Sequence, residues 1–138
     1  MSIRKIRPGE AAPAVELART LGLDYPSLES DPLWVAEEGG RTIGLVALKK
    51  HPDCLELCAL GVDPGFRGKG VARALVEALM DKAPGDVHLA TIIPRFFEGC
   101  GFHIIKDAIP ATFPAKRETS WCEGCPQERC TVMLRTRQ

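Results

Sequence analysis

One segment limits the possible folds more than any other: Leu60-Gly61-Val62-Asp63-Pro64-Gly65-Phe66-Arg67-Gly68-Lys69-Gly70-Val71-Ala72. Before it, Cys54 to Val62 (CLELCALGV) reads as a strand. After it, Gly70 to Ala83 takes a helical period, with Val71, Leu75 and Leu79 one turn apart beside Ala72 and Val76. A strand therefore runs through a glycine-rich turn directly into a helix. Pro84-Gly85 ends the helix, and Val87 to Ile92 (VHLATI) reads as the next strand. Strand, helix and strand in this order predict a right-handed crossover and a parallel strand pair.

Such a turn has chemistry of its own. The first backbone N–H groups of a helix lack partners inside it and sit at the positive end of its dipole. They form an anion site, and glycines let a diphosphate approach the backbone closely. Arg67 and Lys69 add cationic side chains. The segment is not a Walker loop, because Gly68-Lys69 is followed by Gly70 where Ser or Thr is needed. It is not a G-x-G-x-x-G fingerprint either, since Arg73 stands where the third glycine belongs. The plain alternative is a turn chosen only for tight strand–helix packing.

Around this centre the chain reads as one mixed α/β domain over residues 1–138. Ser2 to Arg7 is a first strand, Ala11 to Leu21 a helix burying Val15, Leu17, Ala18 and Leu21, and Gly22 its stop. Asp24 to Pro32 is a loop or short helical turn. Leu33 to Glu38 and Thr42 to Leu48 pair through a Gly39-Gly40 hairpin, and His51-Pro52-Asp53 turns the chain into the Cys54–Val62 strand. Pro94 to Cys100 is a short helix stopped by Gly101, while Phe102 to Ile105 and Thr131 to Arg135 are the last strands. Hydrophobic residues at 45% and charged residues at 26% exclude disorder. Eighteen basic and eighteen acidic residues cancel, which argues against nucleic acid as a partner. No apolar run approaches the ~20 residues of a membrane span, and MSIRKIRPGE lacks an apolar signal region. A cytoplasmic protein with no membrane partner is expected.

Two markers carry a resemblance to a known family. Arg67-Gly68-Lys69-Gly70-Val71-Ala72, led by Val62-Asp63-Pro64, resembles the R/Q-x-x-G-x-G/A signature of the GCN5-related N-acetyltransferases, or GNAT family. Phe96-Phe97-Glu98-Gly99-Cys100-Gly101-Phe102 resembles that family's second marker, and the likeness extends to about Ile105. It implies a twisted, mostly antiparallel sheet with a splayed parallel pair and flanking helices. It implies acetyl-CoA as the acetyl donor and a primary amine of a small molecule as acceptor. The diphosphate would rest on backbone amides from Arg67 through Gly68, Lys69, Gly70 and Val71 to Ala72. A bulge at Ala59 to Val62 would open the strand so that Leu60, Gly61 and Val62 line the pantetheine arm. The Leu60 N–H would polarise the thioester carbonyl. Homodimers are common in the family, and exposed strand edges suit pairing.

Acetyl transfer needs an unprotonated amine, a stabilised tetrahedral oxyanion and a departing thiolate. Glu56 lies on the strand of the pantetheine site and shares a face with Cys58, which makes it the candidate general base. A solvated or salt-bridged glutamate is the alternative. Many family members carry a tyrosine acid in the second marker, but here Phe97 holds that place and the one tyrosine is Tyr25. Another group protonates the thiolate, or it leaves unaided. Tyr25 helps shape the acceptor pocket or anchors its loop. Cys58 and Cys100 read as small hydrophobes, and His88 and His103 as packed or surface histidines, with a proton shuttle as the alternative for either histidine.

Leu55 to Val62 and Phe96-Phe97 are similar to the small N-acetylglutamate synthase-like subgroup, which implies an amino acid such as glutamate as acceptor. That subgroup's L-L-P-R-like segment is replaced by Tyr25-Pro26-Ser27-Leu28-Glu29-Ser30, leaving Lys49, Lys50 and Arg95 as carboxylate partners. In the cysteine-bearing segment 110–138, Cys122, Cys125 and Cys130 form C-x-x-C-x4-C. They read as ligands of a structural zinc, with Cys100, His103 or water as the fourth, or else as a reduced or disulfide-linked tail. Two further readings stand beside the enzyme: a degenerate acetyl-CoA-binding sensor, and an interaction module that binds no coenzyme.

Overall fold

The computed structural model describes residues 1–117 and 129–137. The chain packs as two compact units, Met1–Lys49 with Leu57–Ala83, and Lys50–Glu56 with Pro84 onward.

The first unit is built from β1 (Ser2–Lys5), α1 (Ala12–Leu21), β2 (Leu33–Glu38), most of β3 (Arg41–Lys50) and β4 (Leu55–Val62), and α2 (Val71–Lys82). β1 pairs antiparallel with β2, and β2 with β3, through a register shift at Ala36/Glu37. The hairpin is made by glycine because both turn residues, Gly39 and Gly40, sit at positive φ (57° and 78°). α1 ends at Gly22, whose φ of 72° lets its N–H reach the last carbonyls of the helix.

The inward face of α1 differs from the expected one. Ala18 is buried, but Val15, Leu17 and Leu21 only flank the core, and Ala14 takes the second central seat. Two alanines one turn apart let the helix lie close against Leu28, Leu33, Val35, Leu45 and Ala47, so the longer side chains are displaced to the margin. α2 buries Val71, Leu75, Val76, Leu79 and Met80, as its period predicts. A β-carbon at Gly44 of β3 would lie 3.0 Å from Leu75 Cδ1 and 3.2 Å from Val71 Cγ1, so glycine is what lets α2 seat closely.

The second unit holds the first residues of β4, then β5 (Val87–Thr91), α3 (Pro94–Glu98), β6 (His103–Ile104), α4 (Thr112–Arg117) and β7 (Thr131–Arg135). The expected parallel pair is present: Leu55 registers with Val87 and Glu56 with His88. β7 pairs antiparallel with both β5 and β6. Among the described residues the strand order is β1-β2-β3-β4-β5-β7-β6, a seven-stranded, mostly antiparallel sheet. α4 was not anticipated. Its start is held by Asp53, whose carboxylate accepts from the Thr112 amide (3.1 Å) and hydroxyl (2.6 Å), a partner 59 residues away. No helix among the described residues is long and apolar enough to cross a membrane.

Candidate functional site

In β4 the backbone departs from regular strand at Ala59, whose φ is 53°. A residue with a β-carbon pays ~1–2 kcal/mol to adopt this left-handed conformation, so surrounding structure must impose it. The distortion falls at the start of the expected Ala59–Val62 bulge, three residues beyond the Glu56–His88 register pair. Leu60 and Gly61 are half-buried and Val62 is buried.

The turn that follows keeps its own acid away from the helix start. Asp63 Oδ1 accepts from the Gly65 amide at 2.9 Å, and Oδ2 pairs with Arg41. Gly68 and Gly70 both take left-handed φ, 78° and 81°. Among the described residues a β-carbon at either would meet nothing within 4 Å, so glycine is required by conformation and not by contact. Gly70 is the N-cap of α2 and has no side chain with which to cap it, and no acidic residue stands in the first turn. Among the described residues the leading amides thus stand at the positive end of the helix dipole without a side-chain acceptor from its first turn. These features fit a bound diphosphate.

Around the turn, Arg67 is not a loose cation: its Nε donates to the Val62 carbonyl at 3.1 Å. Lys69 Nζ lies 5.4 Å from the centroid of Phe66, and the Arg41 guanidinium covers the same ring at 6.0 Å. Gly68, Lys69 and Gly70 are exposed, Ala72 is half-buried and Val71 is buried.

Glu56 is the buried charged residue among those described, at 3% exposure. Its Oε1 lies 2.7 Å from His51 Nε2. His51 sits across a two-residue turn, closed by its own N–H donating to the Cys54 carbonyl at 2.8 Å. Sequence reasoning saw His51 and Asp53 only as turn residues. The signal was a histidine five positions before a strand glutamate, which becomes a contact only when the turn is tight. The Cys54 thiol is pushed up to about 11, first by burial and then by the charges of Asp53 and Glu56. Asp53 is held below the usual carboxylate range by the Thr112 hydroxyl and amide. Burial pulls His88 below the ordinary imidazole value; its Nδ1 is buried without a hydrogen-bond partner among the described residues, and its ring lies 6.2 Å from Phe113. His103 is exposed.

The second marker forms an aromatic knot. Phe97 is buried and meets Phe96 and Phe102 edge-on, with centroids 5.0 Å and 5.9 Å away. Gly101 has φ of 87°, with the Arg135 side chain 3.3 Å from where a β-carbon would be. Arg135 Nη1 donates to the carbonyl of buried Cys100 at 2.8 Å. Arg95 on α3 is exposed. Tyr25 donates its hydroxyl to Asp31 Oδ2 at 2.6 Å, and Lys49 Nζ lies 5.2 Å over its ring while donating to Ser27 Oγ. Lys50 is exposed, and Cys58 is buried in the core beneath α1. Cys122 and Cys125, the heart of the expected metal site, lie outside the described residues, while Cys130 is half-buried. Among the described residues no three His, Cys, Asp or Glu side chains form a metal-holding group.

The chain matches the model of the acetyltransferase (GNAT) family over residues 7–102. It is 29% identical over 113 residues to N-acetylaspartate synthetase of Danio rerio, covering 74% of this chain and 38% of that protein. It is 36% identical over 77 residues to N-acetyltransferase 8 of Mus musculus, covering 49% of this chain and 34% of that protein. It thus spans little more than a third of the length of these curated relatives. Its fold is similar to that of N-acetylglutamate synthase from Neisseria gonorrhoeae complexed with coenzyme A and N-acetyl-glutamate. The TM-score is 0.74 at 20% identity, over 99% of this chain and 35% of that one. Rv2747 from Mycobacterium tuberculosis, in complex with CoA and NLQ, is similar at a TM-score of 0.72 and 21% identity, over 99% of both chains. With its signature turn inside the matched span, the chain belongs to the GNAT acetyltransferase family.

Proposed function

We propose that this protein is an acetyl-CoA-dependent N-acetyltransferase acting on the primary amine of a small molecule, by direct attack with both substrates bound. The observation that supports the reading is the start of α2 without a side-chain cap from its N-cap residue, with Gly68 and Gly70 left-handed and, among the described residues, nothing within 4 Å of where their β-carbons would be. The amides from Arg67 to Ala72 would hold the diphosphate. Leu60, Gly61 and Val62 would line the pantetheine arm, with the Leu60 N–H on the thioester carbonyl. Acetyl-CoA supplies the activated acyl group; the chain aligns it with the amine, which already accounts for much of the acceleration.

Glu56 takes the amine's proton in this scheme. Its burial favours a carboxylate that acts on a bound group over one that is merely solvated. No tyrosine acid is assigned, since Phe97 is packed in its aromatic knot and the Tyr25 hydroxyl is bonded to Asp31. A thiol of pKa about 8.5 leaves tolerably without help. For the acceptor we propose an amino acid, glutamate first among them, with Tyr25 and Arg95 on the acceptor side. The likeness to proteins named for N-acetylglutamate and N-acetylaspartate synthesis supports this class.

Calorimetry with CoA, followed by thiol release across amino acids, polyamines and peptides, tests the whole reading. Saturable CoA binding and turnover on an amino acid are expected. No heat with CoA rejects the coenzyme site, and turnover only on polyamines rejects the acceptor. The absence of the marker tyrosine favours one other reading, a sensor; it predicts binding with no thiol release on any amine.

A further inference from the structure

A carboxylate at 3% exposure has lost most of its contact with water, and so has any proton placed on it. The turn before β4 provides one exit. His51 Nε2 lies 2.7 Å from Glu56 Oε1, and the histidine side chain is 13% exposed against 4% for the glutamate. The imidazole is thus the wetter member of the pair. It is held in place by its own backbone N–H, bonded to the Cys54 carbonyl at 2.8 Å.

Among the described residues the other neighbouring titratable groups are poor competitors. Asp53, in the same turn, has its carboxylate engaged by the Thr112 amide and hydroxyl of α4. Cys54 remains a neutral thiol to about 11. His88, the register partner of Glu56 on β5, is held toward its neutral form by burial. Among the described residues His51 is the neighbour whose ring lies within hydrogen-bond distance of Glu56 and carries a second nitrogen through which a proton can leave.

On the acetyl-transfer reading above, we infer that His51 is a positioning and relay residue through which the proton taken by Glu56 departs to water. The nitrogen of the attacking amine loses one proton to the Glu56 carboxylate. The carboxyl O–H then breaks as an N–H forms on His51 Nε2, and the carboxylate is restored. The imidazolium releases its Nδ1 proton to water, which leaves a neutral ring protonated on Nε2; proton exchange with water, one proton leaving Nε2 as another joins Nδ1, resets the tautomer before the next turnover. No electron leaves the pair, and no further reactant is consumed.

The test uses His51→Gln, which keeps an amide able to bond Glu56 but cannot pass a proton, and His51→Ala, which leaves room for added imidazole. Both are compared with wild type in thiol-release kinetics from pH 5.5 to 9 with calorimetry of CoA binding. His51→Gln is expected to lose on the order of 10- to 100-fold in kcat, with KM for acetyl-CoA changed by less than about two-fold and the acid limb of the kcat profile displaced. Imidazole at tens of millimolar is expected to restore His51→Ala in proportion to its free base. Wild-type kcat and pH profile in His51→Gln would overturn the relay; so would a CoA-binding His51→Ala that ignores imidazole. If His51→Ala no longer binds CoA, the glutamine variant decides alone. Wild-type protein that releases no thiol with any amine defeats the acetyl-transfer reading itself, and full activity in Glu56→Gln removes both base and relay.

Discussion

Two glycines in the candidate site are glycine for opposite reasons. At Gly61 a β-carbon would fall 2.4 Å from Leu23 Cδ1 and 2.9 Å from Leu21 Cδ1, so the constraint is contact. Gly61→Ala is expected to destabilise the protein by about 1–3 kcal/mol in chemical denaturation, softened only as far as the two leucines can turn. At Gly70 the space is open and the constraint is a φ of 81°. Gly70→Ala is expected to cost about 1–2 kcal/mol and to weaken CoA binding in calorimetry, while Gly70→Asn costs less because asparagine visits the left-handed region more readily. The Gly68–Gly70 pair was legible in the sequence, since glycines between a strand and a helix signal a special turn. Gly61 was not: its neighbours lie about 40 positions earlier in the chain.

Elements were legible where their signals were local and obscure where a distant residue supplied them. Leu33–Glu38 and Thr131–Arg135 emerged with the expected bounds, because alternation and flanking turns mark them. α4 was missed because its start is fastened by Asp53 from the turn before β4. That fastening has a pH signature. The folded pKa of Asp53 is lowered by Thr112, so its contribution is fully present above the unfolded value of about 3.9 and is lost as pH falls through the lower folded value. Asp53→Asn is expected to have a lower thermal midpoint than wild type at pH 6, and the gap should close as the pH drops below about 4. A gap unchanged in acid would mean that the carboxylate charge is irrelevant.

Across the molecule, the type and order of the elements other than α4 could be read from one sequence, but their division into two compact units that share β4 could not. That division rests on contacts between distant segments. Burial of His88 adds a property of the folded protein as a whole. Because its folded pKa is lowered, the stabilising contribution is present above the unfolded value of about 6.5 and is lost as pH falls through the folded one. Denaturant titrations from pH 7.5 to 5 are expected to show falling stability in wild type and a flatter profile in His88→Gln. The position of β7 has a consequence for biosynthesis. Both β5 and β6 take β7 as their antiparallel partner, so a strand made after both of them stands between them. A chain still emerging from the ribosome must hold that slot vacant until residues 131–135 clear the exit tunnel. Slowed translation between the codons of β6 and those of β7 would prolong the interval in which two unsatisfied strand edges are open to a chaperone or to a neighbouring nascent chain.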